Sequence, residues 1–318
     1  MAGANHESWP DLPYHAWRDT RDTLHLWTQV VGKIRLALTP WLNHSWHVPF
    51  YVTARGLTTS PIYYGRRSLE IAFDFNEHTL DFTTSDGNGR RITLGPRTVA
   101  EFYDTVMALL TEIGITIKIT DIPSEIPGAI AFSRDRTHAA YDAEYVKRFW
   151  RVLIQADRMF KQFRTSFVGK SSPVHFFWGS FDLAVTRFSG RRAPSHPGGV
   201  PGLADVVVRD AYSHEVSSAG FWPGGPGFEQ AAFYSYAYPE PKGFRTSSVA
   251  PSAAFFGEGL GEFLLPYDVV RTASDPDDAL LAFLNTTYEA AARRGKWDRA
   301  ALECPPGVVG VPHQVHDR

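Results

Sequence analysis

Residues 173–188 read PVHFFWGSFDLAVTRF, and this aromatic and β-branched run decides the fold class. Its composition predicts one long strand. The sequence before it predicts a helix that Asp142 caps and that extends to about Phe167, with apolar residues at helical spacing. Further strands are predicted near 212–221 and 233–238, and consecutive strands joined by short connections pair antiparallel.

Side chains alternate between two faces along the predicted strand, which covers 174–188. Asp182 is expected on the face of Trp178, and His175 on the opposite face. A bulge at Gly179 would change this phase. The relative placement of the carboxylate and the histidine therefore depends on the backbone at this glycine.

The first part of the chain repeats the order of helix, strands and helix. Apolar spacing predicts a helix over 17–38, alternation predicts a hairpin over 68–84, and Thr98 with Glu101 forms a capping box for a further helix. The apolar positions of helix 17–38 superimpose on those of the helix that Asp142 caps. This similarity suggests an internal duplication, but unrelated helices share such stripes, so both interpretations stay open.

These elements predict an α+β fold of two similar halves, each a mostly antiparallel sheet flanked by long helices. A segment with prolines and a glycine is the predicted connection between them. The expected organisation is an N-terminal half over 1–122, the connection over 123–141, a C-terminal half with the candidate pocket over 142–302, and a flexible tail over 303–318.

Composition excludes several classes of protein. The formal net charge is -2 and the basic runs are short, which argues against nucleic acid as a partner. Cys304 is the only cysteine, so an intrachain disulfide is excluded. Residues 1–15 lack the apolar core of a signal peptide, and no run is long enough for a membrane helix. We therefore expect a soluble, cytoplasmic protein without a membrane partner, whose oligomeric state composition does not fix.

Familiar nucleotide and metalloprotease motifs fail on their spacing. Gly169-Lys170-Ser171 resembles the end of a phosphate-binding loop, but Arg164 stands where that loop needs glycine. His214-Glu215 lacks the second histidine of a zinc-protease helix. The sequence therefore specifies no cofactor.

Polar residues inside apolar strands mark a candidate catalytic centre. Asp182 must find a partner, because an unsatisfied buried polar group costs about 1–3 kcal/mol. One interpretation is a structural pair with a nearby arginine or with His214 that fixes the strand register. The other is catalysis, in which a histidine is the general base and a carboxylate orients it. The candidate catalytic residues are His175, Asp182, His214 and Glu215.

Aromatic and small polar side chains of the same region would surround such a centre and bind a ligand. The candidate ligand-binding residues are Trp178, Ser180, Trp222, Tyr234 and Tyr236. Two histidines with one carboxylate would also suit a metal ion. Such a set arises easily by chance in a chain with 12 His and 34 acidic residues, so no metal site is predicted.

Four motifs resemble a bacterial family of unknown function, DUF5996. They are WPDLP at 9–13, TLHLWTQ at 23–29, PVHFFWGSFDLA at 173–184 and YSHEVSSAGFW at 212–222. The likeness spans about 9–302. It implies a bacterial cytoplasmic protein and supplies no mechanism.

Two classes of function fit these observations. The first is an enzyme or small-molecule binder with an aromatic-lined pocket that carries histidine and carboxylate groups. The alternative is a non-catalytic scaffold or self-associating protein whose aromatic residues form core and interface.

Overall fold

The structure, a computed structural model, describes residues 8–313. Within these residues the chain forms two six-stranded antiparallel sheets and a set of helices, which confirms the α+β prediction. None of the helices described there combines the length and apolar character that a bilayer crossing requires. The α-helices are α1 Tyr14–Leu38, α2 Val99–Glu112, α3 Ala143–Arg164, α4 Asp205–Ala211, α5 Tyr267–Arg271, α6 Pro276–Arg294 and α7 Arg299–Leu302.

The first sheet has the strand order β1-β2-β4-β5-β6, and β3 also pairs with β4. Its strands are β1 Tyr51–Val52, β2 Gly56–Thr58, β3 Ile62–Tyr64, β4 Arg67–Asp74, β5 Thr79–Thr84 and β6 Gly89–Thr93. The second sheet has the order β11-β12-β10-β9-β8-β7. Its strands are β7 His175–Phe177, β8 Asp182–Arg192, β9 His214–Trp222, β10 Ala232–Tyr238, β11 Phe255–Gly257 and β12 Glu262–Pro266.

The two sheets meet edge to edge. Phe50, just before β1, and Phe176 of β7 form an antiparallel bridge, and each donates its N–H to the other's carbonyl at 2.8 Å. The indole Nε1 of Trp178 donates to the Val48 carbonyl at 2.9 Å beside this bridge. One continuous cluster of buried apolar side chains includes members from both sheets. The division into two domains and the internal duplication stay predictions.

The strand predicted over 174–188 is instead a hairpin. The chain turns between Phe177 and Asp182, and Phe181 adopts a φ of 61°, the left-handed region that non-glycine residues rarely occupy. The turn pairs His175 with Ala184 and Phe177 with Asp182. Residues directly opposite each other share a face of the sheet, so His175 and Asp182 lie on the same face, and the predicted alternation is wrong across this turn.

The predicted N-terminal caps of two helices are confirmed. Thr98 and Glu101 form the predicted capping box of α2, and the Asp142 carboxylate accepts hydrogen bonds from the first turn of α3. Between α1 and the first sheet, Asn43–Ser45 forms a 3-10 helix, and β1 begins at Tyr51.

The end of the chain is partly anchored. Cys304 donates its N–H to the Ser166 carbonyl at 3.2 Å, and the N–H of Gly307 donates to the hydroxyl of Thr165 at 2.9 Å. The first residues of the segment predicted as a flexible tail are thus hydrogen-bonded to the end of α3, and its flexibility stays a prediction. The prediction for 314–318 lies outside the described residues.

We expect Gly32→Ala to lower the free energy of unfolding by about 1–3 kcal/mol, as overpacked cores do. A Cβ atom at Gly32 would lie 2.3 Å from the Trp178 ring, which is itself fixed by Val48. The gain in helix propensity from alanine, about 1 kcal/mol, is smaller than this clash at such a distance. Urea denaturation measures the change.

Gly95→Ala is the matched control, because nothing lies within 4 Å of its Cβ position. The explanation fails if both variants unfold at the same urea concentration.

Candidate functional site

A cavity with two chambers lies between one face of the second sheet, α1 and the connection between the halves. The smaller chamber measures about 270 Å³ and the larger about 710 Å³. The opposite face of the sheet packs against α3 and α6. The residues that line both chambers, and so form their junction, are Glu125, Gly179, Ser180, Asp182, Tyr212, Tyr234 and Tyr236.

Asp182 is the centre of this junction. Its side chain is 6% exposed, accepts a hydrogen bond from the Ser180 hydroxyl at 2.5 Å, and accepts a second from the hydroxyl of Tyr234. Burial raises the pKa of the Asp182 carboxyl, and the two hydroxyl donors partly offset that rise. The predicted arginine or histidine partner is therefore wrong: the partners are hydroxyl groups.

Tyr234 reaches Asp182 by crossing a strand. The register pairs Ala184 of β8 with Gly220 of β9, and Gly220 with Tyr234 of β10. A Cβ atom at Gly220 would lie 2.3 Å from the Tyr234 hydroxyl. The absence of a side chain at Gly220 thus leaves the path that this ring needs.

Two further carboxyl groups lie near Asp182, that of Glu125 in the junction and that of Glu262 in the wall of the larger chamber. Burial first, and the charge of Asp182 second, raise the pKa of Glu125 to about 7 and the pKa of Glu262 to about 8. The ammonium of Lys33 partly offsets the rise at Glu125. Among residues 8–313, neither glutamate nor Asp182 forms a salt bridge.

The position of Glu125 is fixed by its neighbours. Its backbone has a φ of 60°, and a Cβ atom at Gly179 would lie 2.1 Å from its Oε1. The preceding residue, Ser124, is held by α1: its N–H donates to Gln29 Oε1 at 2.7 Å, and its hydroxyl accepts from Lys33 Nζ at 2.9 Å. The connection therefore holds the carboxyl group of Glu125 against the turn before Asp182. The left-handed backbone at Glu125 is the strained conformation that this placement requires.

His175 lines the smaller chamber. It is 1% exposed, and its Nδ1 has no hydrogen-bond partner. Burial, helped by the charges of Arg35 and Arg164, lowers the pKa of this imidazole to about 3. The ring is therefore neutral at physiological pH, and its Nδ1 is a buried polar atom without a partner among the described residues.

A known protein family covers almost all of the residues that the structure describes. A family model described as a family of unknown function, DUF5996, matches residues 9–304. The chain belongs to this family. Searches of curated proteins and of solved structures found no match.

Two candidate catalytic residues of this DUF5996 protein line neither chamber. Glu215 points to the other face of β9, where it accepts hydrogen bonds from the Ser189 hydroxyl at 2.8 Å and from Arg191. His214 shares the cavity face but lines neither chamber, and its ring packs 5.7 Å from that of His44. The structure thus brings together His175 and Asp182 and separates them from Glu215 and His214.

The candidate ligand-binding residues all lie on the cavity wall. Trp178 lines the smaller chamber and Trp222 the larger one, while Ser180, Tyr234 and Tyr236 line both. No group of three or more His, Cys, Asp or Glu in the described part of the chain is arranged to hold a metal ion.

Sequence reasoning missed Glu125, Glu262 and the polar stripe of α1. His25, Gln29 and Lys33 are buried and are spaced four residues apart, so they lie on one face of the helix. His25 Nε2 donates to the Gly179 carbonyl at 2.8 Å, so this stripe holds both the connection and the turn before Asp182. Polar residues at this spacing among the apolar residues of α1 were the available signal.

We expect the contribution of Glu125 and Glu262 to the stability of this DUF5996 protein to fall as the pH rises from about 4.5 through 8. Glu125 and Glu262 have a higher pKa in the folded protein than the ordinary value of 4.5, so the folded state retains protons that the unfolded chain releases over this range. Glu262→Gln mimics the protonated acid. It should be about 1–3 kcal/mol more stable than wild type at pH 9, with a difference that narrows towards pH 4.5.

Denaturation across this pH range measures the effect. Glu112→Gln is the control, because the Glu112 carboxylate is 64% exposed. Parallel pH profiles for wild type and Glu262→Gln would contradict the burial of a titrating carboxyl at this position.

Proposed function

We propose that this protein is an enzyme that binds a small organic molecule in the two-chamber cavity and acts on it by proton transfer from carboxyl groups. The supporting observation is that Asp182, Glu125 and Glu262 line one cavity without a salt bridge among the described residues. Structural carboxylates in a protein interior are normally paired with a cation, because an isolated buried charge is costly.

Proton transfer fits the chemistry of these three groups. A general acid works best when its pKa lies near the working pH, and the pKa values of Glu125 and Glu262 are about 7 and 8. Clusters of carboxyl groups that raise one another's pKa are typical of catalytic sites. In this proposal Glu125 and Glu262 are the proton donors, and Asp182 raises their pKa and contacts the ligand.

The size and the walls of the cavity fit a small molecule. The chambers of about 270 and 710 Å³ fall near the range of known ligand pockets. Aromatic rings cover the cavity face: the Tyr234 and Tyr236 rings stack 6.2 Å apart, and the Tyr212 hydroxyl lies 2.9 Å from that of Tyr236. Rings give apolar contact area, and their hydroxyl groups add hydrogen bonds that orient a ligand.

We expect Asp182→Asn to weaken the binding of cavity ligands at least tenfold, which is about 1.4 kcal/mol. A thermal-shift screen of a metabolite library identifies the ligands, and calorimetry compares their affinities. Asp157→Asn is the control, because Asp157 is a largely buried carboxylate on α3 that pairs with Lys161 outside the cavity.

A screen whose ligands bind the two variants equally well would count against a function for this cavity. Circular dichroism of both variants shows that any loss of binding is not a loss of fold.

Exposed apolar residues at the rim of the smaller chamber favour a second candidate function, self-association. Trp41 and Leu42 are 50% and 52% exposed, and Trp41 also lines this chamber. Large exposed apolar side chains that lie together often mark protein interfaces. Light scattering would support this function if the wild-type protein is a dimer and the double variant Trp41→Ser, Leu42→Ser is a monomer.

A further inference from the structure

We propose that the ligand is an organic amine, whose ammonium group binds at the junction of the chambers between Asp182, Glu125 and Glu262. This inference rests on the proposed function and adds the chemical class of the substrate. It depends on the balance of charge in the larger chamber, on the aromatic rings around the junction, and on an unpartnered histidine in the smaller chamber.

The larger chamber has an excess of acidic groups. Its charged lining contains one guanidinium, that of Arg21, which is neutralised by Asp22 at 2.5 Å. A further acid, Asp135, pairs with His138 at 2.7 Å. The acids that remain are Glu125 and Asp182 of the junction and Glu262 of the larger chamber.

Lys33 does not serve as the counterion of this cluster. Its Nζ donates to the Ser124 hydroxyl at 2.9 Å, and Lys33 is not part of the lining of either chamber. Its charge lowers the pKa of Glu125 but is not among the influences on Glu262. A cation brought by a ligand would therefore be the first cationic partner of these carboxyl groups among the contacts of the described residues.

Aromatic rings favour the same kind of ligand. Tyr212, Tyr234 and Tyr236 line the junction, and Trp222 lines the larger chamber. The face of an aromatic ring attracts a cation by about 0.5–2 kcal/mol, more when water is excluded. Carboxylates combined with rings are thus suited to an ammonium group attached to an apolar body.

His175 supplies an observation that is independent of the acids. Its imidazole is almost fully buried in the wall of the smaller chamber, and its Nδ1 is unpartnered. The same chamber includes Glu125 and Asp182 in its lining. A ligand whose ammonium group lies at the junction can therefore extend a second polar group into the smaller chamber, towards the His175 imidazole.

Binding of a cation is coupled to the release of protons. An ammonium group favours the ionised form of Glu262, whose surroundings contain Asp182 from β8, Tyr234 from β10, and Tyr212. Glu125 faces Asp182 and the ammonium of Lys33. Both glutamates are largely protonated at pH 6.5, so an amine should displace about one proton there and bind more tightly at pH 8.

The experiment compares amines with alcohols of the same shape by calorimetry. The probes are 2-phenylethylamine with 2-phenylethanol, and 1,4-diaminobutane with 1,4-butanediol. We expect at least one amine to bind tenfold more tightly than its alcohol at pH 8. At pH 6.5, binding heats in two buffers of different ionisation enthalpy should reveal the released proton.

Variants locate the binding. Glu262→Gln and Asp182→Asn should each weaken amine binding at least tenfold, and Asp157→Asn should leave it unchanged. Proton release is measured on the wild-type protein. It therefore tests the inference even if a variant does not fold.

The outcomes separate the inference from the proposed function. Alcohols or other neutral compounds that bind as tightly as amines, in a manner sensitive to Asp182→Asn, would overturn the amine and leave the cavity as the site. If Asp182→Asn weakens the binding of no compound in the metabolite library or the probe set, both the inference and the proposed function are overturned. Amine binding that Glu262→Gln and Asp182→Asn do not weaken would also overturn the inference.

Discussion

Two backbone hydrogen bonds between Phe50 and Phe176 join the edges of the two sheets, and the cavity depends on this joint. The joint fixes where the first half lies relative to the face of the second sheet. Trp178 strengthens it from the side by donating to Val48 and by filling the space above Gly32. The wall of the cavity therefore combines a sheet from one half with a helix and a connection contributed by the rest of the chain.

A buried carboxyl group is the second constraint. Asp182 has no salt-bridge partner within residues 8–313, and hydroxyl groups satisfy it instead. Tyr234 can supply one only because Gly220 has no side chain. Burial, and after it the charge of Asp182, raise the pKa of two glutamates from other parts of the chain, Glu125 and Glu262. Several distant positions are thus linked through one electrostatic centre.

The sequence predicted what local chemistry determines. Helix caps at Thr98 and Asp142 depend on residues within one turn, and they were found. The need of Asp182 for a partner also followed from its apolar neighbours. The identity of that partner did not, because it depends on sheet register. Glu125 was hidden for a similar reason, since nothing in the composition of a connection shows that the helix of another half will bury it.

Glu125, which has a left-handed backbone, lies on the connection, and this position has an evolutionary consequence. One acid of the junction is on a connection, while Asp182 and Glu262 are on strands whose register holds the sheet together. Connections accept insertions and substitutions more readily than strands do. Selection can therefore reshape the segment around Glu125 and alter which molecules the cavity accepts, while the strand-borne pair is inherited with the fold. Relatives that differ in ligand preference would then differ in the sequence of this connection.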